Sequence, residues 1–205
     1  MLESTLEEVL RLTRLTEDLL TLARSDAGAI APRRCSTDIG ELVRSTIRKL
    51  GVRASEREVR LETRLEDDLT AQVDPDLVGR LLWNLLDNAI DHTVPGTRVE
   101  VSARSADGAL RIDVVDDGPG LGPDVERIFE RFHRLDQART PGGEASGTGL
   151  GLSIVRAVAE AHGGSVSAEN RPEGGARFTV RIPIMPVAED SSGKEAHPEE
   201  APLVL

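Results

Sequence analysis

The chain has 205 residues, a formal net charge of -11 and one cysteine, Cys35. The acidic balance argues against a nucleic-acid surface, because neutralising phosphates needs clustered Lys and Arg. A single cysteine excludes a disulfide framework and favours a reducing compartment, and no apolar run approaches the roughly 20 residues that span a bilayer. These features predict one globular domain with an accessory segment and no membrane segment in this chain.

The N-terminal segment, residues 1–24, carries apolar residues at steps of three or four, which predicts an amphipathic helix. Its stripe needs partner helices. We expect them to come from a second chain, and packing on its own domain is the alternative. The next stretch, "SDAGAIAPRRCST", is rich in small residues and Pro and predicts a linker. The stripe consists of Leu2, Leu6, Val9, Leu12, Leu15, Leu19 and Leu22.

The rest of the chain mixes helices with strands. Asp38 and Glu41 are spaced as a capping box at the start of one helix, and residues 76–92 predict the most apolar helix. Residues 118–148 are rich in Gly and Pro around "VERIFERF", which is typical of a functional loop such as a lid. Strands are predicted at 59–65 and in "TAQVD", "TRVEVSA", "ALRIDVV", "GSVSAE" and "ARFTVRIP". This order predicts an α+β fold, a two-layer sandwich in which helices cover one face of a mixed sheet, preceded by the long N-terminal helix.

Three glycines alternate with other residues before an apolar helix: Gly147, Gly149 and Gly151 in "GTGLGLSIV". A dinucleotide-binding loop is excluded because Leu152 occupies the place of its last glycine, and a P-loop is excluded because the G-K-[ST] sequence is absent. Backbone N–H groups and the positive end of the helix dipole could hold an anion here. Taken alone, the motif fits an anion site and tight helix packing equally well.

Two further groups of polar residues accompany apolar segments. Asp116 ends an apolar strand and is followed by Gly118 and Gly120. A buried carboxylate there needs donors, which a purine amine would supply, although an ordinary Asp-Gly turn is the commoner explanation. Asn84 and Asn88 share one face of the apolar helix, where they suit a metal ion, a phosphate or hydrogen bonds to the backbone.

In this order, "NLLDNA", "DDGPG", "IFERF" and "GTGLGLSIV" resemble the N, G1, F and G2 boxes of the sensor histidine kinases of bacterial two-component systems. The resemblance covers residues 37–185 as a catalytic and ATP-binding domain. Residues 1–30 resemble the second helix of that family's dimerisation and phosphotransfer hairpin, with a linker, and residues 186–205 predict a disordered acidic tail. The implied reaction transfers the γ-phosphoryl group of ATP to a histidine, with ATP and Mg²⁺ as cofactors.

The resemblance also implies roles for individual residues. Asp116 would bind the adenine amino group, and Gly118 and Gly120 would admit the purine. Asn88 would ligate the Mg²⁺ that bridges the ATP phosphates, with Asn84 nearby.

The loop residues receive implied roles in the same way. Phe129 and Phe132 would anchor the lid, and Arg131 and Arg134 would face the γ-phosphate. The triphosphate would lie against the glycine-rich loop and the first residues of the next helix: Gly147, Thr148, Gly149, Leu150, Gly151 and Leu152.

Two features depart from the family pattern. Asp91 stands where the family usually has Lys or Arg, and its carboxylate would repel ATP unless Mg²⁺ or an arginine screens it. On that basis Asp91→Lys is predicted to tighten ATP binding. The family's phosphoacceptor histidine has no counterpart, because none of the four histidines stands in the matching context; they are His92, His133, His162 and His197. We therefore expect the target histidine on a partner chain or a missing segment.

Three functions remain open from the sequence. The chain is the catalytic portion of a sensor kinase, an ATP-binding regulator without kinase activity, or a dimerisation partner that modulates a kinase. In each case we expect a homodimer or a kinase partner through the N-terminal helix, an indirect link to a response regulator and no nucleic acid. The expected location is the cytoplasm, with a full-length parent anchored in the membrane.

Overall fold

The computed structural model describes residues 2–122, 125, 127–133 and 148–184. The helices of this part are α1 (Leu2–Asp26), α2 (Ile39–Glu56), α3 (Pro75–His92) and α4 (Gly151–Ala161), with a single 3-10 turn at Arg127–Phe129. The strands are β1 (Cys35–Asp38), β2 (Arg60–Leu65), β3 (Thr70–Val73), β4 (Arg98–Ala106), β5 (Ala109–Asp116), β6 (Ser165–Asn170) and β7 (Ala176–Pro183). The predicted site residues Arg134 and Gly147, and the predicted tail, lie outside the described residues.

The strands β2, β4, β5, β7 and β6 form one mixed sheet in that spatial order. β2 pairs in parallel with β4, and the other neighbours are antiparallel. Val101, Val114 and Phe178 stand side by side across three strands and are buried against the helices. Since successive side chains of a strand alternate between faces, the opposite face carries polar residues such as Arg111 and Thr179. The predicted two-layer α+β sandwich is confirmed.

The helix α3 forms the centre of the helical layer. Asp74 caps its first turn by accepting hydrogen bonds from the N–H groups of Asp76 and Leu77, both at 3.1 Å, and Pro75 occupies a first-turn position where no N–H is needed. Its inner face is fully buried: Val78, Leu81, Leu82, Leu85, Leu86 and Ile90 are all 0% exposed. This burial fixes the rotation of α3, so the face that carries Asn84 and Asn88 points away from the core.

The start of α2 follows the predicted capping pattern in part, because Asp38 accepts a hydrogen bond from the Glu41 N–H at 2.8 Å. The segment before it differs from prediction. Cys35, Ser36 and Thr37, interpreted from sequence as the end of a linker, belong to the strand β1, which pairs antiparallel with β3 in a separate two-stranded sheet. Its partner lies far along the chain, so the local composition carried no signal of the pairing.

The helix α1 divides its apolar stripe between two environments. Leu22 is 3% exposed, and the Arg80 guanidinium of α3 donates to Asp18 at 2.5 Å and to Thr21 at 2.9 Å. The C-terminal half of α1 therefore packs on its own domain. Other residues of the helix are about half exposed and form an open apolar surface: Val9, Leu12, Leu19 and Leu20. Within the described residues, no helix is both long and apolar enough to cross a membrane.

Candidate nucleotide-binding site

Asp116 is a buried carboxylate at the C-terminal end of β5, with 6% of the residue exposed. Its Oδ1 accepts hydrogen bonds from the N–H groups of Gly118 at 2.9 Å and Ala176 at 3.2 Å. Burial raises the pKa of this carboxyl, and the two backbone hydrogen bonds oppose that rise. Both bonds occupy the same oxygen, so Oδ2 retains its capacity to accept from an external donor such as an exocyclic amine.

The turn between β6 and β7 packs against the backbone of Asp116. Arg171 Nη1 donates to the Asp116 carbonyl oxygen at 3.1 Å and to the Asp117 carboxylate at 2.9 Å. Gly175 has a φ of +81°, and a Cβ at this position would overlap the Asp116 carbonyl oxygen. Sequence analysis missed Arg171, Gly175 and Ala176. The paired glycines in "EGGARF" indicated a turn there, but they did not indicate that the turn packs against Asp116.

Gly118 and Gly120, which were expected to admit the purine, both have close neighbours in the fold. A Cβ on Gly118 would lie 2.9 Å from Asp116 Oδ1 and from Thr93 Cγ2. A Cβ on Gly120 would lie 2.7 Å from Asn170 Oδ1, the atom that also accepts the Leu121 N–H at 2.6 Å. In this structure the groups that exclude a side chain belong to the protein itself.

Asn84 and Asn88 lie one turn apart on α3 and differ in their partners. Asn84 Nδ2 donates to the Arg80 carbonyl oxygen at 2.9 Å, which fixes the amide, and a Cβ on Gly151 would lie 2.9 Å from its Oδ1. Asn84 therefore faces the start of α4. The Asn88 side chain is partly exposed and makes no hydrogen bond to any residue in the described part of the chain. Its oxygen can serve as a ligand for a hard cation.

The N-terminus of α4 has the properties of an anion site. Leu150 stands at the N-cap, where no side chain caps the helix, and the first turn has no acidic residue. The first N–H groups of the helix and its positive dipole end therefore have no anionic partner within the described residues. Gly149 enters the turn with a φ of +71°, and the Leu150 N–H donates to Thr148 Oγ1 at 3.4 Å.

Leu150 and Leu152, both predicted to lie along the triphosphate, differ in burial. The Leu150 side chain is fully buried, whereas Leu152 is only partly buried. Their side chains pack the start of α4, and contact with an anion would come from the backbone of this turn.

The two phenylalanines predicted to anchor the lid behave differently. Phe129 is 5% exposed, lies edge-on to Phe178 at a centroid distance of 6.4 Å, and has the Arg156 guanidinium 5.1 Å above its ring. The expectation for Phe132 is wrong for its side chain, which is 67% exposed. Its backbone N–H, however, donates to the Gly149 carbonyl oxygen at 3.0 Å, which joins the two described ends of the loop.

Arg131, expected to face the γ-phosphate, has a carboxylate partner in this structure. Its guanidinium donates two hydrogen bonds to the carboxylate of Asp26, at the C-terminal end of α1. The pair is largely exposed, and the hydrogen bonds from Arg131 lower the pKa of Asp26. The physical reason is proximity, because the last turn of α1 ends beside the turn that follows Phe129.

Asp91, predicted to oppose the phosphates, has positive partners on α2. Arg53 Nη2 lies 2.6 Å from Asp91 Oδ1, and Arg57 Nη2 lies 3.7 Å from the same oxygen. Burial alone would lower the pKa of Arg53, but Asp91 and Asp87 raise it. An arginine thus screens the carboxylate, which is one of the two conditions under which the sequence allowed an acidic residue here.

A buried acceptor at the end of β5, an open asparagine on α3 and an uncapped N-terminus on α4 are the features expected of a nucleotide-binding ATPase domain. Residues 73–186, more than half of the chain, match the family described as histidine kinase-, DNA gyrase B- and HSP90-like ATPase. The chain belongs to this family. The match includes each of the three elements that carry the site.

Several relatives specify the type of ATPase. The chain is 39% identical over 183 residues to the Mycobacterium tuberculosis (strain CDC 1551 / Oshkosh) protein named "Probable sensor histidine kinase HK", covering 89% of this chain and 46% of the relative. A structure of full-length ShkA in complex with AMPPNP has 32% identity and a TM-score of 0.74, covering 85% of this chain and 36% of that one. The domain is thus of the sensor histidine kinase type, and the chain spans less than half of these two proteins.

A third likeness concerns the fold alone. The structure of histidine kinase ThkA in complex with response regulator protein TrrA matches with a TM-score of 0.67 at 23% identity, covering 87% of this chain and 49% of that one. The fold of this chain therefore recurs in a protein whose sequence has diverged widely.

Proposed function

We propose that this chain is the ATP-binding catalytic portion of a two-component sensor histidine kinase. It would transfer the γ-phosphoryl group of ATP to a histidine nitrogen on a partner chain or on a segment outside this sequence. The observation that carries the proposal is Asp116, a buried carboxylate with one oxygen held by two backbone N–H groups and the other available. A rigid, desolvated acceptor of this kind suits the exocyclic amine of adenine.

The residues present fit Mg-ATP at the other end of the ligand. Asn88 offers an amide oxygen that no described residue uses, and the uncapped turn at Gly151 offers backbone N–H groups to phosphate oxygens. We assign Asn88 as the protein ligand of Mg²⁺, with Asn84 held nearby by the Arg80 carbonyl oxygen. When bound, Mg²⁺ supplies charge neutralisation at the phosphates.

The chain's own contribution to the reaction is positioning. Phosphoryl transfer has a loose transition state, so catalysis depends on alignment and charge stabilisation more than on a covalent partner. Asp116 would fix the purine and the α4 N-terminus would fix the phosphates. Leu150 and Phe129, both buried, pack the described segments on either side of residues 134–147 against the domain.

The partners follow from the same proposal. The exposed apolar residues of α1, among them Leu12 and Leu19, would pack against a second copy or a kinase partner. A response regulator would receive the phosphoryl group from the histidine, and the domain would work in the cytoplasm, where ATP is available. We also keep residues 1–30 as helix and linker, and 37–185 as the catalytic domain.

The experiment mixes the chain with γ-labelled ATP, Mg²⁺ and a helical hairpin that carries a histidine of the family's phosphoacceptor type. Acid-labile, base-stable label on the hairpin supports transfer, and Asp116→Asn should reduce the label at ATP concentrations that do not saturate the wild type. The fluorescence of Trp83, adjacent to Asn84, follows nucleotide binding in parallel.

The outcomes separate the candidate functions. ATP binding without labelled hairpin would identify an ATP-binding regulator and contradict the kinase proposal. A titration that shows no ATP binding by fluorescence or by calorimetry would contradict every ATP-dependent function. The remaining function would then be a dimerisation partner that modulates a kinase through the N-terminal helix.

A further inference from the structure

A compact group of charges links α2 to α3. Arg53 Nη2 lies 2.6 Å from Asp91 Oδ1, and Arg53 Nε lies 3.2 Å from Asp87 Oδ1. Arg57 adds a longer contact of 3.7 Å to Asp91. We call Arg53, Arg57, Asp87 and Asp91 the α2–α3 charge cluster.

The cluster adjoins the residues proposed to hold ATP. Asp91 lies three positions after Asn88 and therefore close to it on the surface of α3. Two positions further on, Thr93 lies close to Gly118, in the turn that follows Asp116, since a Cβ on Gly118 would lie 2.9 Å from Thr93 Cγ2. Asp91 thus stands between the proposed metal ligand and the purine end of the site. An unpaired carboxylate here would oppose a triphosphate.

The pair between Arg53 and Asp91 is partly shielded from solvent. The side chain of Asp91 is 15% exposed and that of Arg53 is 30% exposed, so bulk salt screens this pair less than a surface pair. The planar guanidinium of Arg53 also reaches two carboxylates one turn apart at the same time, which a lysine ammonium would do less well.

We propose that Arg53 is a positioning residue for ATP, which holds the Asp91 carboxylate in an ion pair towards α2 and so permits the triphosphate to bind beside Asn88. The inference rests on the proposed function. Arg53 offsets the negative charge of Asp91 beside the site, and it acts through Asp91 without contact between Arg53 and the ligand. It also alters the expectation for Asp91→Lys, because the new ammonium would be placed beside two arginines.

The test is a double-mutant cycle of wild type, Arg53→Met, Asp91→Asn and the double variant, titrated with Mg-ATP and with adenosine. Arg53→Met should weaken ATP binding about tenfold through the exposed charge of Asp91, with adenosine binding nearly unchanged. Asp91→Asn should stay within about twofold of wild type, and the double variant should recover most of the loss. Arg53→Lys should recover part of it.

A matched control is Arg48→Met, which breaks the 2.6 Å pair between Arg48 and Glu41 on the same helix, away from α3. ATP binding should not change. If Arg53→Met does not fold, Arg53→Gln removes the charge while keeping a shorter side chain with a hydrogen-bond donor, and it completes the same cycle.

Two results would overturn the inference. ATP affinity unchanged in a folded Arg53→Met variant would show that Asp91 does not oppose the ligand. A double variant as weak as Arg53→Met would show that Arg53 contacts the phosphates itself. Failure of the wild type to bind ATP is a separate result, which would contradict the proposed function.

Discussion

His162 Nε2 accepts a hydrogen bond from the backbone N–H of Asp74 at 3.1 Å, and this bond joins the C-terminal end of α4 to the N-cap of α3. The other ring nitrogen, Nδ1, lies 2.8 Å from the Val158 carbonyl oxygen and must donate to it. The imidazole is therefore neutral, with its proton on Nδ1. It is 1% exposed and serves packing, in keeping with its exclusion as a phosphoacceptor.

The His162 hydrogen bonds predict how stability depends on pH. Burial lowers the pKa of His162 below its ordinary 6.5, because desolvation disfavours the charged imidazolium. Protonation of Nε2 would also break the hydrogen bond that this atom accepts from the Asp74 N–H. Below pH 6.5 the unfolded chain thus binds more protons than the folded chain. Stability is intact above that pH and falls as the pH drops towards the folded pKa, by up to about 1.4 kcal/mol per pH unit.

Urea unfolding between pH 7.5 and 5.5 measures this slope, and His162→Gln should reduce it. His92→Gln, on an exposed residue, is the control and should leave the slope unchanged. An NMR titration in which His162 gains its proton at or above pH 6.5 would contradict the prediction.

Asp116 predicts a second pH effect, on binding. An ionised carboxylate accepts a hydrogen bond from the purine amine, and such a bond contributes about 1.5–3 kcal/mol, so Asp116→Asn should weaken ATP binding roughly tenfold to a hundredfold. Because burial raises the pKa of Asp116, ATP affinity of the wild type should decline on acidification sooner than an ordinary Asp would allow. Calorimetry measures both effects.

The matched control for this prediction is Asp113→Asn. Asp113 lies on the outer face of β5, where it accepts from Thr179 Oγ1 at 2.5 Å and from Arg111. The variant should bind ATP as wild type does. An equal loss in both variants would mean that disruption of β5, and not loss of an adenine contact, causes the weakening.

Two adjacent glycines predict very different costs of substitution. Gly174 has a φ of +98° with nothing within 4 Å of an added Cβ. The only cost of Gly174→Ala should therefore be backbone strain, which lowers the free energy of unfolding by about 1–2 kcal/mol. At Gly175 the added Cβ would overlap the Asp116 carbonyl oxygen. Gly175→Ala should therefore lower the free energy of unfolding by about 2–5 kcal/mol and displace Asp116. Chemical denaturation and ATP titration test the pair. Equal effects would mean that the turn yields easily.

Asp26 and Arg131 predict an effect of α1 on the site. Asp26→Asn removes the carboxylate that holds the Arg131 guanidinium, and the freed cation should then tighten ATP binding at low salt. Adding Arg131→Met to Asp26→Asn should cancel the gain. If Asp26→Asn and Arg131→Met have the same effect singly, the pair acts only as a link between α1 and the domain.

Much of the fold was predictable because its signals are local. The alternation in β4 and β5, the apolar face of α3 and the Asp38 cap all depend on residues within one element. The strand β1 was not predictable, since its first three residues resemble linker and the strand acquires its conformation from its pairing with the distant β3.

The candidate site follows the same division. The order of the motifs indicated Asn88, Asp116 and the turn at Gly151, and the structure gives each of them a suitable environment. The partners of charged side chains were out of reach, because the pairs of Arg53 with Asp91 and of Arg131 with Asp26 join segments 38 and 105 positions apart. A charged residue in a motif can be predicted as a site residue from sequence, but its ion-pair partner depends on how distant segments pack together.

The position of β2 in the sheet has a consequence for solubility. In the described part of the chain this strand forms one border of the sheet, where its free backbone groups could recruit a strand of another molecule. Its exposed residues are largely charged: Arg60, Glu62 and Arg64. A second strand docking there would have to bury these charges, so the border resists the edge-to-edge growth that begins aggregation.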